Sequence, residues 1–264
     1  MSRDIKIHHA PDATALTPDI ADSTARALDA ELAGLATPTE RIRAIRAALD
    51  GRIAFSTSLG LEDQAVLHAI ADSSADIDVF TLDTGRHFEE TFDTIAASEA
   101  RYGLKIRLIA PDTGELERLV ARDGVLGFRT SIESRKACCD VRKVRPLQRA
   151  LAGAGGWITG LRRAQSNGRA DVPFATYDAA QGLVKLSPLA DWSVETLERY
   201  VAAHDIPVNA LHAHGFPSIG CQPCTRAVRP GEDIRAGRWW WESADGKECG
   251  LHTNAGQRSA ATRA

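Results

Sequence analysis

Apolar side chains recur along the chain with two alternating periods. Ile42, Ile45 and Leu49 fall at helical spacing behind Thr37-Pro38-Thr39-Glu40, a capping-box pattern with proline at the first helical position, and Gly51 stops the run. A short β-type run at 52–56 (RIAFS) follows at once. After it come the polar turn Thr57-Ser58-Leu59-Gly60, a helical pattern through Ala65, Val66 and Ile70, and a second β run at 77–82. Residues 89–102 and 105–110 repeat the alternation, 157–161 and 183–186 read as later strands, and Ser193 caps a helix that ends near His204. Strands alternating with helices predict an α/β fold, a mainly parallel doubly wound sheet with helices on both faces. Residues 1–36 are Ala- and Asp-rich, with a helix expected over 21–35, and carry no motif.

Ligands of such sheets bind outside the carboxyl ends of the strands, and three polar loops fall there. The first, Ser56 to Asp63 (STSLGLED), offers hydroxyls and amides ahead of a helix N-terminus, which suits an anion. The second is Leu82-Asp83-Thr84-Gly85-Arg86, and the third, Thr159 to Ser166, sets Arg162 and Arg163 beside Gly160. The charge distribution agrees. The chain of 264 residues carries a formal charge of -3, against a general nucleic-acid binder, yet ten basic side chains face two acidic ones between Arg129 and Arg169. A basic centre in an acidic chain suits a small polyanionic ligand. There is no run of eighteen apolar residues, and the first sixteen residues lack the apolar stretch of an export signal, so a cytoplasmic protein with no membrane partner is expected.

Five cysteines fall as Cys138-Cys139, Cys221-Gln-Pro-Cys224 and a lone Cys249. A disulfide framework is not expected in a reducing compartment. The CxxC half suits zinc as well as iron and sulfur. Two adjacent thiolates diverge, which fits one tetrahedral ion poorly and two irons of a cubane well, so a [4Fe-4S] cluster is favoured over zinc and zinc over a redox disulfide. Cys249 lies in Glu248-Cys249-Gly250-Leu251-His252, polar and flanked by glycines, with Lys247 close by. It reads as a nucleophile rather than an inert buried thiol. Arg235 and Arg238 precede it and can meet phosphate, while Trp239, Trp240 and Trp241 can anchor the segment by packing.

The combination of CC, CxxC, ECGLH, STSLGLED, LDTGRHFEET and ITGLRRAQS resembles the assimilatory adenylyl-sulfate reductases of the phosphoadenylyl-sulfate reductase family, over about residues 40–255. The resemblance implies an adenine nucleotide α-hydrolase-like sheet that reduces adenosine 5′-phosphosulfate to sulfite and AMP, with thioredoxin or a glutaredoxin-like dithiol protein as donor. It places cluster ligands at Cys138, Cys139, Cys221 and Cys224 and the nucleophile at Cys249, with Lys143 and His252 as further catalytic candidates. Substrate contacts fall on Ser56, Ser58, Gly60, Leu82, Gly160, Arg163, Arg235 and Arg238. Both cysteine pairs favour the non-phosphorylated substrate, although some cluster-containing relatives accept the 3′-phosphorylated one too. The domains expected are an N-terminal segment (1–36), a nucleotide- and cluster-binding α/β domain (37–228) and a C-terminal tail with the nucleophile (229–264). Homo-oligomerisation is left open.

Chemically, a thiolate is suited to attack sulfonyl sulfur and give an S-sulfonate, which an external dithiol then discharges as sulfite. Two other classes compete. An ATP pyrophosphatase of the PP-loop type should carry a lysine in the first loop, which STSLGLED lacks, and an iron-sulfur sensor needs neither a fifth cysteine nor nucleotide loops.

Overall fold

The computed structural model describes residues 17–165 and 167–242. Helices α1 (Pro18–Ala33) and α2 (Pro38–Ala48) precede strand β1 (Ile53–Ser56). Then follow α3 (Leu61–Ser73), β2 (Asp78–Leu82), α4 (Glu89–Tyr102), β3 (Arg107–Ile109) and α5 (Thr113–Asp123). Next are α6 (Ile132–Cys139), α7 (Arg145–Leu151), β4 (Gly156–Ile158), β5 (Ala175–Asp178), β6 (Leu183–Leu186) and α8 (Val194–Ala203). The six strands lie in the order β3-β2-β1-β4-β6-β5, parallel except for the β5–β6 hairpin at the edge. Among the described residues no helix is long and apolar enough to cross a membrane.

Strand alternation splits the core in two. Ile53 and Phe55 of β1 join Ile158, Val184 and Leu186 beneath α1, α2, α3 and α8. Ala54, Phe80, Trp157 and Leu183 point the other way, against Leu147, Ala150 and Leu151 of α7. Each large aliphatic side chain buried so contributes roughly 1.5–3 kcal/mol. The capping box at Thr37 is formed in both directions. Helix α1 begins earlier than expected, at Pro18, and is part of the main core: Leu28 and Leu32 are buried in it, and Asp29 accepts the backbone N–H groups of Phe174 and Ala175 at the head of the edge strand. The boundary expected at 36/37 is therefore not a break in packing.

Within the basic stretch, residues 132–151 are continuously helical. Between α6 and α7 lie five residues of π-helix, Asp140–Val144, in which the Arg145 N–H donates to Asp140 O. Pro146 explains the widening, since it has no N–H for the carbonyl four residues back and its ring crowds that carbonyl. The wide turn carries Arg142 and Lys143.

Candidate active site

In the sheet order, chain direction across the sheet reverses between β1 and β4, and the loops after these strands part to leave a cavity of about 280 Å³. The first loop is held from within. Asp63, in the first turn of α3 and only 8% exposed, accepts from the Ser58 N–H at 2.5 Å and the Ser58 hydroxyl at 2.6 Å. The Gly160 N–H of the third loop also donates to it. Burial pushes the Asp63 carboxyl up to about 6, against these hydrogen bonds. Leu59 is thereby held in the left-handed region, φ 62°, with its N–H on Thr57 Oγ1. A Cβ on Gly160 would lie 2.2 Å from Asp63 Oδ1, so only glycine allows this approach. Next to Asp63, Glu62 accepts from Arg162 at 2.7 Å and Gln165 at 2.9 Å. Burial raises the Glu62 carboxyl, and these bonds outweigh it and hold it below the usual range.

Ser56 and Ser58 both line the cavity but play different parts. Ser56 Oγ accepts from Trp157 Nε1 at 2.8 Å, which leaves its hydroxyl proton to meet a ligand oxygen. Ser58 commits both its protons to Asp63. Gly60, Leu82 and Gly160 line the same cavity, and so do the cations Lys143, Arg235 and Arg238. Arg163 does not. Its Nε donates to Val172 O and its guanidinium stacks on Phe174, 5.1 Å from the ring centroid. Arg169 and His87 line the cavity and were missed by sequence reasoning. His87 Nε2 lies 3.0 Å from Leu82 O, and burial holds its imidazole below the usual range.

Behind one wall lies the cysteine pocket. Cys221 and Cys224 are buried with Phe128 and Trp239, and Cys138 packs against them from the end of α6. Cys139 follows it, half-buried. Cys221 Sγ is 3.3 Å from Thr84 Oγ1, and the Gln222 N–H donates to Arg86 O, which ties the CxxC turn to the second loop. Burial raises the Cys138 thiol and, with Cys221 beside it, pushes Cys224 up to about 12. Arg142 hydrogen-bonds Cys138 and donates to Thr84 O, and its buried Nε has no partner. Arg86 faces Cys138, Cys221 and Cys224. Among the described residues no three Cys, His, Asp or Glu side chains gather tightly enough to hold one metal ion.

Trp239 belongs to the cavity wall and to the cysteine pocket at once. It is 1% exposed, at φ 41°, and its N–H donates to Cys224 O. Arg135 of α6 stacks on its ring at 4.4 Å and Arg238 at 4.7 Å. Cys249 and His252 lie outside the described residues.

An open, mainly parallel sheet with a cation-rimmed polar cavity at its switch point defines a nucleotide-binding type of α/β protein. A profile of the phosphoadenosine phosphosulfate reductase domain matches residues 52–227, and the chain belongs to that family. A protein of Sinorhizobium fredii (strain USDA 257) named adenosine 5′-phosphosulfate reductase is 51% identical over 234 residues, 87% of this chain and 93% of its own. One of the same name from Agrobacterium fabrum is 50% identical over 239 residues, 90% of this chain and 91% of its own. The crystal structure of phosphoadenylyl-sulfate reductase from Candida auris, a phosphate complex, shares the fold with a TM-score of 0.66 at 23% identity, over 82% of this chain and 100% of that one.

Proposed function

We propose that the protein reduces adenosine 5′-phosphosulfate to sulfite and AMP in cytoplasmic sulfate assimilation, with Cys249 as nucleophile and a thioredoxin- or glutaredoxin-like dithiol as reductant. Relatives about half identical over most of the chain carry the name of this activity. The observation that carries the reading is Trp239, which joins a cation-rimmed cavity to a pocket of cysteines. The Cys249 thiolate attacks the sulfonyl sulfur. An S–S bond forms, the bond from sulfur to the phosphate oxygen breaks, and AMP leaves with the electron pair. Lys143, Arg235 and Arg238 offset the charge that develops on that phosphate, and Ser56 donates to one of its oxygens. His252 lies three residues beyond the nucleophile and is suited to hydrogen-bond the sulfonate. A thiolate of the reductant then attacks Cys249 Sγ and releases sulfite. Its second thiol resolves the mixed disulfide and returns Cys249 as thiolate.

The four remaining cysteines suit an iron-sulfur cluster. The donors are all soft thiolates, three share one apolar pocket, and Arg86 and Arg142 lie beside them to offset the anionic charge. Cys138, Cys139, Cys221 and Cys224 would hold a [4Fe-4S] group, which supplies fixed charge and order beside the substrate. The test of function is sulfite release from each adenylyl sulfate with thioredoxin. Turnover of adenosine 5′-phosphosulfate is expected, and release from the 3′-phosphorylated substrate alone would overturn the assignment.

A further inference from the structure

His212 lines the substrate cavity from a short 3-10 turn, Ala210–His214. The turn is fixed at both ends. Asn209, 1% exposed, accepts from the Leu211 N–H at 3.0 Å, and its amide donates to Thr91 Oγ1 of α4 at 3.4 Å. Beyond the turn Gly215 takes φ 81°, the Phe216 N–H donates to Leu211 O, and the Phe216 ring packs edge-on against Phe88 with 5.6 Å between centroids. The imidazole is held in turn, with His212 Nδ1 2.9 Å from Phe216 O. A carbonyl oxygen only accepts, so Nδ1 carries the proton, and in the neutral ring Nε2 is then a bare acceptor. Burial favours that neutral ring and holds the imidazole below its usual range, against the pull of Phe216 O and Glu62. Nε2 is buried, and among the described residues nothing donates to it. An unpaired buried acceptor is costly, so its place on a cavity wall points to a donor on the ligand.

Adenosine 5′-phosphosulfate presents few donors. Its phosphate and sulfate oxygens only accept at neutral pH, which leaves the ribose hydroxyls and the adenine amine. Glu62 favours the ribose. It lines the same cavity close to His212, and its bonds from Arg162 and Gln165 all fall on Oε1, so the carboxylate keeps accepting capacity. A carboxylate beside the switch point of such a sheet is suited to a ribose hydroxyl. Arg169, bonded to Gln165 and also lining the cavity, carries further N–H groups that can donate to a hydroxyl oxygen, whereas an amine nitrogen conjugated to adenine accepts none. Resting on the proposed substrate, we propose that His212 is a specificity-determining residue whose Nε2 accepts from a ribose hydroxyl of the nucleotide and disfavours a phosphate at that edge of the ribose. A phosphoryl group there lacks the hydroxyl proton and sets anionic oxygens against the Nε2 lone pair and the Glu62 carboxylate.

The test is equilibrium binding to the full chain, in wild type, His212→Phe and His212→Gln. The probes are AMP, 2′-deoxy-AMP, 3′-deoxy-AMP, purine riboside 5′-monophosphate and adenosine 3′,5′-bisphosphate. Phenylalanine keeps a ring without the acceptor, and glutamine can set a carbonyl near the position of Nε2. Removing one ribose hydroxyl is expected to weaken binding to wild type about tenfold, the cost of leaving a buried acceptor unpaired. His212→Phe is expected to bind AMP about tenfold more weakly, to show no further loss with that deoxy analogue, and to narrow the gap between AMP and the bisphosphate. His212→Gln is expected to recover part of the AMP affinity. The 2′- and 3′-deoxy probes tell which hydroxyl is bound. Equal weakening of AMP and both deoxy analogues by His212→Phe overturns the proposal, as does an unchanged gap to the bisphosphate. Coupling to the purine riboside instead assigns Nε2 to the amine and overturns it too. Because the readout needs no turnover, a protein that shows the coupling but does not reduce adenosine 5′-phosphosulfate loses the assigned reaction and keeps the ribose contact. Turnover without the coupling overturns the contact alone.

Discussion

Asp63 holds the first loop with a carboxylate that burial disfavours. Its side chain binds more protons in the folded than in the unfolded chain between 3.8, its ordinary value, and about 6. The sign follows: Asp63's contribution to stability is present below 3.8 and is lost as pH rises through about 6. The shift corresponds to about 3 kcal/mol. Denaturant titrations of wild type and Asp63→Asn across this window are expected to show wild type losing about that much relative to the variant as pH rises. A parallel pair of curves would contradict the burial of that carboxylate. Of the residues picked from sequence, Ser56, Ser58, Gly60, Leu82, Lys143, Gly160, Arg235 and Arg238 fall on one cavity. Arg163 does not, because residue type and loop membership say nothing of which way a side chain leaves a short 3-10 turn, and this one turns toward Phe174. Arg169 was hidden for the same reason. Asp63 had a signal in the sequence, a carboxylate five residues after Ser58 at a helix start, that was read only as part of an anion loop.

At the scale of elements, alternation of apolar residues revealed β1, β2, α4, β6 and α8 with ends within two residues of those observed. The helices from α5 to α7 were not resolved from sequence. In α6 and α7 basic side chains interrupt the apolar stripe, and the helix that carries Cys138 passes through a π-helical turn that shifts the period. The cap of α5, Asp112 accepting from the Glu115 N–H, was available as a signal. The antiparallel β5 was missed because it is an edge strand of four residues in which only Ala175 is buried, too short to show an alternating pattern. The crossing of the first and third loops yields a prediction of its own. Gly160→Ala places a methyl group against Asp63 and the α3 N-terminus, where neither backbone yields easily. Stability is expected to fall by about 1–3 kcal/mol. kcat/KM should fall by about tenfold or more as the loops part, measured by sulfite release. An active, fully stable Gly160→Ala protein would show that the two loops tolerate separation.

For the whole molecule, two sites share one wall. The sheet places a polar cavity at its switch point, and the segment after the CxxC turn folds back so that Trp239 closes both the cavity and the cysteine pocket. That return could not be read from sequence, because it depends on a buried ion pair between residues far apart in the chain and on one tryptophan in a left-handed conformation. If the pocket holds a [4Fe-4S] cluster, anaerobically prepared protein contains iron and acid-labile sulfide in equal amounts, and exchanging either cysteine pair for serine removes both. Zinc without labile sulfide would refute the cluster.

The proposed reaction depends on a thiol that takes the sulfonyl group from the nucleotide. Mixing the protein with adenosine 5′-phosphosulfate in the absence of reductant, and mapping the digest by mass spectrometry, tests it in one step. The expected result is one AMP released per chain and one SO₃ unit on the peptide containing Cys249, discharged as sulfite when dithiol is added. AMP release with no adduct at Cys249, or an adduct at one of the four other cysteines, would contradict it.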